Sequence, residues 1–222
     1  MLRKLVLATR NPGKIEEFKE LLQPLNLEIW SLKDFPGLKL PPETGCTFKE
    51  NAVLKARFVS SLTGLPALGD DSGLEVEALS GAPGVYSSRF AGEGATDAQN
   101  NEKLLGLLRG YPEEKRRARF RCVLALCTPE GDIYTGEGCL EGVITTEARG
   151  TYGFGYDPLF LLPEVGKTLG ELDPKVKNTL SHRARALQSL WPALLRVFGL
   201  SADAHGVSTH IKILPKGDSS LT

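Results

Sequence analysis

Apolar positions along this chain come in short blocks whose spacing switches between strand-like and helix-like periods, with polar, Gly-bearing or Pro-bearing breaks between them. The first block, Lys4-Leu5-Val6-Leu7-Ala8, ends at Thr9-Arg10-Asn11-Pro12-Gly13-Lys14, after which Ile15, Phe18, Leu21 and Leu22 recur at helical spacing. This predicts a strand, a polar loop and a helix. Pro12 suits a first helical turn, where its missing N–H costs nothing, and Glu16 and Glu17 suit the positive end of the helix dipole. A Pro-rich stretch over 35–43 precedes Thr47-Phe48-Lys49-Glu50, a capping box with a hydroxyl at the cap and Glu three residues on. A second helix is therefore expected to about Leu62.

Further on, Pro66-Ala67-Leu68-Gly69 leads into Asp70-Asp71-Ser72-Gly73, and Leu74, Val76 and Ala78 then alternate with Glu75 and Glu77 as in a strand with one wet face. The acidic pair is expected at a strand junction. Thr96 and Gln99 give another capping signal ahead of Leu104, Leu105, Leu107 and Leu108, and residues 119–126 alternate around Phe120, Cys122, Leu124 and Leu126. Pro129-Glu130-Gly131-Asp132 reads as a turn into a return strand, which implies an antiparallel portion of sheet. Residues 150–157 hold too many glycines for regular structure. Ser181 is placed to cap a last helix that turns Ala184, Leu187, Leu190, Leu194 and Phe198 inward, with a kink expected at Pro192. The mixture of helices and strands places the chain in the α/β class with a mixed sheet. A single domain is expected over 1–201, followed by a polar, aperiodic tail over 202–222.

Composition narrows the function classes. Hydrophobic residues make up 41% of the 222 and charged residues 24%, enough apolar surface to offset chain entropy. Lys plus Arg and Asp plus Glu each number 27, so no global field draws the chain to nucleic acid or to an anionic membrane. Any phosphate binding must be built locally. Cys46, Cys122, Cys127 and Cys139 contain no C-x-x-C pair, which argues against a zinc site or a disulfide framework and reads as reduced, mostly buried thiols. The N-terminal apolar run is too short for a signal peptide, and no run approaches the roughly 18 apolar residues of a membrane span. A cytoplasmic location is expected.

Three constellations carry candidate chemistry. Thr9, Arg10, Asn11, Pro12, Gly13 and Lys14, between a strand and a helix, offer a hydroxyl, an amide, backbone N–H groups and an ammonium to an anion at a helix N-terminus. The spacing is not that of a Walker A loop, and a polar turn of this kind can equally be structural. Asp70 and Asp71, with Glu43 upstream, are hard oxygen ligands of the kind that hold Mg²⁺ beside phosphates, the alternative being a solvated acidic turn. Phe154, Gly155, Tyr156 and Asp157, with Ser181, His182 and Arg183, combine an aromatic loop with an imidazole and a guanidinium. Phe154 or Tyr156 can stack on a base and Arg183 can donate to a purine carbonyl, while tight turns and a solvated first helical turn are the structural alternatives. Lys55 and Lys177 read as surface lysines unless position says otherwise.

Taken in order, these segments resemble the Ham1 family of inosine triphosphate pyrophosphatases, from about Lys4 to Leu200. The residues that carry the resemblance are Ala8-Thr9-Arg10-Asn11-Pro12-Gly13-Lys14, Pro42-Glu43-Thr44-Gly45, Thr47-Phe48-Lys49-Glu50-Asn51-Ala52, Asp70-Asp71-Ser72-Gly73-Leu74, Gly81-Ala82-Pro83-Gly84-Val85-Tyr86-Ser87, Gly153-Phe154-Gly155-Tyr156-Asp157-Pro158 and Leu180-Ser181-His182-Arg183. Arg10 departs from the pattern, standing where many relatives have Gly. The loops of the related Maf-type pyrophosphatases differ at 153–158 and 181–183. The resemblance implies an elongated mixed β-sheet flanked by helices, two lobes with a central nucleotide-binding cleft, and a homodimer. It implies hydrolysis of ITP, dITP and XTP to monophosphate and pyrophosphate. Residues 9–14 would bind the phosphates, and Glu43 and Asp71 would hold Mg²⁺. Asp71 would also accept the proton of the attacking water, with Lys14 and Lys55 neutralising the leaving group. Ser72, Phe154, Gly155, Tyr156, Asp157, Lys177, His182 and Arg183 would complete the nucleotide site.

Overall fold

In the computed structural model, which describes residues 3–201, the N-terminal apolar run forms β1 (Lys4–Leu7) and the following helix α1 (Pro12–Leu22) starts at Pro12, as its fixed φ favours. Asn11 caps α1, its side chain accepting from the Lys14 N–H at 3.1 Å. A short strand β2 (Glu28–Ser31) pairs parallel with β1. The Thr47–Glu50 capping box opens α2 (Phe48–Thr63), which ends at Gly64 in the left-handed conformation that terminates helices. Next come β3 (Ala67–Val76), α3 (Asp97–Leu107), β4 (Arg117–Cys127), β5 (Ile133–Ile144), β6 (Phe160–Leu162), β7 (Lys167–Thr168), α4 (Pro174–Leu180) and α5 (His182–Val197). The strands form one seven-stranded sheet in the order β2-β1-β3-β4-β5-β6-β7. It is mixed: β1 runs parallel to β2 and β3, whereas β5, β6 and β7 pair antiparallel.

Several expectations change in detail. Asp70 and Asp71 lie inside a continuous ten-residue strand and not at a junction, because cationic partners described below make burial of the pair tolerable. That strand stops at Val76, and 77–79 turn as a short 3₁₀ segment in place of a strand reaching Ala78. From Cys122 to Cys127 every residue of β4 is buried, so the alternation read around Cys122, Leu124 and Leu126 gives way to a strand covered on both faces. Ser181 is the C-cap of α4 and also directly precedes α5, the position expected of a cap on the last helix. The last helix, α5, forms as expected and contains Pro192. The tail 202–222 lies outside the described residues.

The described chain packs into two compact units, one of residues 3–71, 122–138 and 183–201, the other of residues 72–121 and 139–182. In the first unit the two faces of β1 meet different helices. Leu5 and Leu7 pack with Ile15, Phe18 and Leu22 of α1 and Leu187, Leu190 and Leu194 of α5, whereas Val6 and Ala8 pack with Val59 of α2 and Ala67. Each such buried Leu or Phe contributes roughly 1.5–3 kcal/mol relative to an exposed one. Strand β3 keeps the same division: Leu68 faces α1 and α5, while Gly69 faces α2 so closely that a Cβ there would stand 2.2 Å from the Ala52 carbonyl oxygen. Only glycine permits that approach, and the approach sets α2 against the carboxylates of β3. The second unit is built on Leu74, Val76, Leu104, Leu108, Phe120, Leu159, Phe160 and Leu169.

All four cysteines are free: Cys46 is exposed, Cys122 and Cys127 are buried, and Cys139 is intermediate. Burial pushes the Cys127 thiol up to about 11, with Arg57 opposing it only in part, and burial lifts Cys122 well above its ordinary value. A thiolate is the species that reacts with a disulfide reagent. At pH 8 the native protein is therefore expected to show one fast thiol towards Ellman's reagent, lost in Cys46→Ser, with Cys122 and Cys127 reacting only after denaturation.

Candidate active site

Alternation along β3 sends Asp70 and Asp71 to opposite faces of the sheet. Asp71 joins Gly69 on the α2 side, where its Oδ1 accepts from Lys55 Nζ at 3.0 Å and its Oδ2 from Asn51 Nδ2 at 3.1 Å. Lys55 Nζ also donates to Glu43 Oε1 at 2.8 Å, so one buried ammonium bridges two carboxylates. Burial pushes Asp71 above the ordinary carboxylate range and Glu43 adds to the effect, with Lys55 and Lys14 pulling back. Burial also opposes the charge on Lys55, but Asp71, Glu43 and Asp70 outweigh it and leave the ammonium above its usual value.

Asp70 takes the other face. Its Oδ1 pairs with Lys14 Nζ, and its Oδ2 accepts from Cys122 Sγ at 3.1 Å and lies 3.8 Å from Arg183 Nε. Burial alone would raise this carboxyl, yet the cations of Lys14, Arg183 and Lys55 hold it well below the ordinary range. Arg183, at the start of α5, donates from Nη1 to Glu17 Oε2 at 2.8 Å. Lys14 and Glu17 lie three apart on α1, and Asn51 and Lys55 four apart on α2, so each pair shares a helix face. Ahead of α1, Thr9 Oγ1 accepts from the Asn11 N–H at 3.2 Å and Arg10 Nη2 donates to the Leu38 carbonyl. Arg10, Asn11 and Pro12 are exposed and Gly13 and Lys14 half-buried, which leaves the N-terminus of α1 open to an anion.

Within the second unit, Asp157 Oδ2 accepts from Lys177 Nζ at 2.6 Å and from the Phe154 N–H at 2.9 Å. Lys177 Nζ lies 4.8 Å from the centre of the Phe154 ring, and Phe154 is half-buried. Tyr156 sits in the core with its hydroxyl donating to the Ser87 carbonyl at 2.8 Å. The loop is tied to α3 at Gly155, whose N–H donates to Asp97 Oδ2 at 2.7 Å and whose carbonyl accepts from Asn101 Nδ2 at 3.0 Å. His182 is buried and stacks on Phe120, ring centres 4.8 Å apart. Ser72 is half-buried, the first residue of this unit on β3.

These positions decide between the alternatives left open by the sequence. The Asp70–Asp71 pair is not a solvated turn, Lys55 and Lys177 are not surface lysines, and His182 and Arg183 are not a solvated helical turn: all six side chains are buried. Three contributors were not picked out beforehand. Asn51, Glu17 and Cys122 each reach a charged group of the site, and for Asn51 and Glu17 the helical spacing to Lys55 and Lys14 was a readable signal.

Glu43 and Asp71 are hard oxygen donors of the kind that bind a divalent cation, brought together here by Lys55. Glu43 Oε1 and Asp71 Oδ1 both contact the same ammonium, so they converge on one cation-sized position. Among the described residues no group of three or more His, Cys, Asp or Glu side chains forms a closed metal cage. Two carboxylates with phosphate and water completing the shell is the usual arrangement for Mg²⁺.

Comparison with known proteins identifies the family of the chain. A curated protein of Desulforamulus reducens named dITP/XTP pyrophosphatase is 53% identical over 195 residues, covering 88% of this chain and 97% of that protein. A solved structure of a HAM1 protein from Coxiella burnetii superposes with a TM-score of 0.79 at 45% identity, covering 88% of this chain and all of that one. The crystal structure of a nucleoside-triphosphatase, dITP/XTP pyrophosphatase, from Mycobacterium abscessus gives a TM-score of 0.69 at 43% identity over 86% of this chain and 99% of that one. The profile described as Ham1 family matches residues 5–193. With that match over residues 5–193 and a relative 53% identical over most of both chains, the chain belongs to the Ham1 family.

Proposed function

We propose that this protein hydrolyses non-canonical purine nucleoside triphosphates, dITP, XTP and ITP, to the monophosphate and pyrophosphate. The observation that carries the reading is the array of half-buried Glu43 with buried Lys55 and Asp71, Asp71 following Asp70, which pairs with Lys14 in the first turn of α1. The relatives named dITP/XTP pyrophosphatase, at 53% and 43% identity, supply the substrate class. Glu43 and Asp71 would hold Mg²⁺, which supplies charge neutralisation and polarisation at the phosphates. Asp71, raised by burial, accepts the proton of the attacking water. The water oxygen bonds to the α-phosphorus, the bond to the bridging oxygen breaks, and pyrophosphate leaves with both electrons of that bond. Lys14 and Lys55 neutralise its developing charge. Residues 9–13 bind the phosphates through the α1 N-terminus and Thr9, with Ser72 a further polar contact.

Base selection is assigned to Phe154, which offers a ring face, and to the donors Lys177, His182 and Arg183, with Gly155, Tyr156 and Asp157 shaping the loop. Hypoxanthine and xanthine present a carbonyl at position 6 where adenine presents an amine, so fixed donors favour the former. Each mispaired buried donor costs about 1–3 kcal/mol. The family resemblance supports a homodimer.

The test is a product assay with Mg²⁺ on dITP, XTP, dGTP and ATP offered separately, resolving monophosphate, diphosphate, pyrophosphate and phosphate. Monophosphate plus pyrophosphate from dITP and XTP is expected, with dGTP and ATP slower by at least about tenfold, the worth of one mispaired donor. Diphosphate and free phosphate as products would overturn the proposed bond cleavage. Tight dITP binding without turnover would indicate a nucleotide-binding regulator instead.

A further inference from the structure

Asp71 belongs to one motif and Glu43 with Gly45 to another, and one side chain from a third joins them. Asn51 is wholly buried on the first half of α2. Its Nδ2 donates to Asp71 Oδ2 at 3.1 Å and to the Gly45 carbonyl at 3.4 Å, and its Oδ1 accepts from the Gly45 N–H at 2.8 Å. The two bonds to Gly45 close a ring between the amide and the loop that carries Glu43 two residues earlier. Gly45 has no room for a side chain: a Cβ there would stand 2.6 Å from Asn51 Oδ1 and 2.7 Å from Glu50 Cβ. The amide orientation is set by its partners, since the Gly45 N–H requires an acceptor and the Asp71 carboxylate a donor.

We infer that Asn51 is a positioning residue for the hydrolytic centre, holding the Asp71 carboxylate plane and the Glu43 loop in one register. Lys55 grips Asp71 Oδ1 and Asn51 grips Oδ2, four residues apart on one helix face, so both oxygens of the carboxylate are held from α2. Lys55 is a charge that can also serve the phosphates, whereas the neutral amide of Asn51 binds Asp71 and the Gly45 backbone. Its contribution is therefore orientation. Supporting groups of this kind typically change metal affinity or activity by about 10–100-fold when removed.

The inference rests on the proposed roles of Asp71 and Glu43, and the experiment separates the two. Asn51→Ala and Gly45→Ala, which break the same contact from its two ends, are compared with wild type and with Asp71→Asn. Three quantities are read: kcat and KM for dITP with Mg²⁺, the affinity for Mn²⁺ alone from the free-ion electron paramagnetic resonance signal, and the thermal unfolding midpoint. A kcat lower by about 10–100-fold, KM within about threefold, and Mn²⁺ affinity lower by about tenfold in both variants is the expected result. A residue that merely supported the fold would reduce the amount of active protein without moving the Mn²⁺ dissociation constant. If Asn51→Ala does not fold, Gly45→Ala, in a half-buried loop, carries the same readouts. Unchanged kcat and unchanged Mn²⁺ affinity in a folded variant, with Asp71→Asn inactive, would overturn the role of Asn51 alone. Normal turnover in Asp71→Asn would overturn the base assignment instead, and Mn²⁺ affinity would then decide for or against Asn51.

Discussion

Replacing Asp71 by Asn is expected to lower kcat for dITP by roughly 10²–10⁴-fold, the range a general base contributes. The amide matches the carboxylate in size and cannot take a proton from water. Folding should survive, because Lys55 keeps Glu43 at 2.8 Å and the substitution removes a charge that burial already disfavours. Two controls make the result interpretable. The unfolding midpoint reports whether the fold is kept, and kcat is taken at rising Mg²⁺ until it no longer changes. Turnover within about tenfold of wild type would show that another group accepts the proton. Full recovery at high Mg²⁺ would show that Asp71 acts only in holding the cation.

The sequence made the helices and their caps readable because those signals are local. Thr47 with Glu50 and Thr96 with Gln99 form both halves of their capping boxes, and Ile15, Phe18, Leu187, Leu190 and Leu194 face the core as their spacing required. The strand carrying Asp70 and Asp71 was less readable, since two acids followed by Ser and Gly resemble a turn in any short window. What keeps those residues in a buried strand comes from far along the chain: Lys14 and Arg183 on one face, Asn51 and Lys55 on the other. Burial of Lys55 and Lys177 was hidden for the same reason, because a lysine is buried only when a carboxylate waits for it and local sequence does not show one. Tyr156 and Phe154 read alike in sequence. The structure separates them through the Ser87 carbonyl, which draws the Tyr156 hydroxyl into the core.

Asp70→Asn is expected to be the most destabilising single substitution in the site, by about 3 kcal/mol, the lower end of the cost of breaking a buried ion pair. The lower end applies because its partners differ in what remains to them. Arg183 keeps Glu17 at 2.8 Å, while Lys14, with 16% of its side chain exposed, can turn its ammonium towards water. Denaturant unfolding measures the loss, read as a lower midpoint at unchanged slope. A cycle with Lys14→Met locates its source. If the loss is an ammonium left without its carboxylate, the double variant should be more stable than the two single losses predict, by an interaction energy within about 0.5–3 kcal/mol. Strict additivity would instead trace the cost to Asp70's contacts with Cys122 and Arg183, and Lys14 would then be held at the α1 N-terminus by something other than this pair. Activity distinguishes the same alternatives: under the proposed role of Lys14 at the phosphates, a Lys14 released from Asp70 loses its fixed position, so kcat should fall in Asp70→Asn even at temperatures where the variant is fully folded.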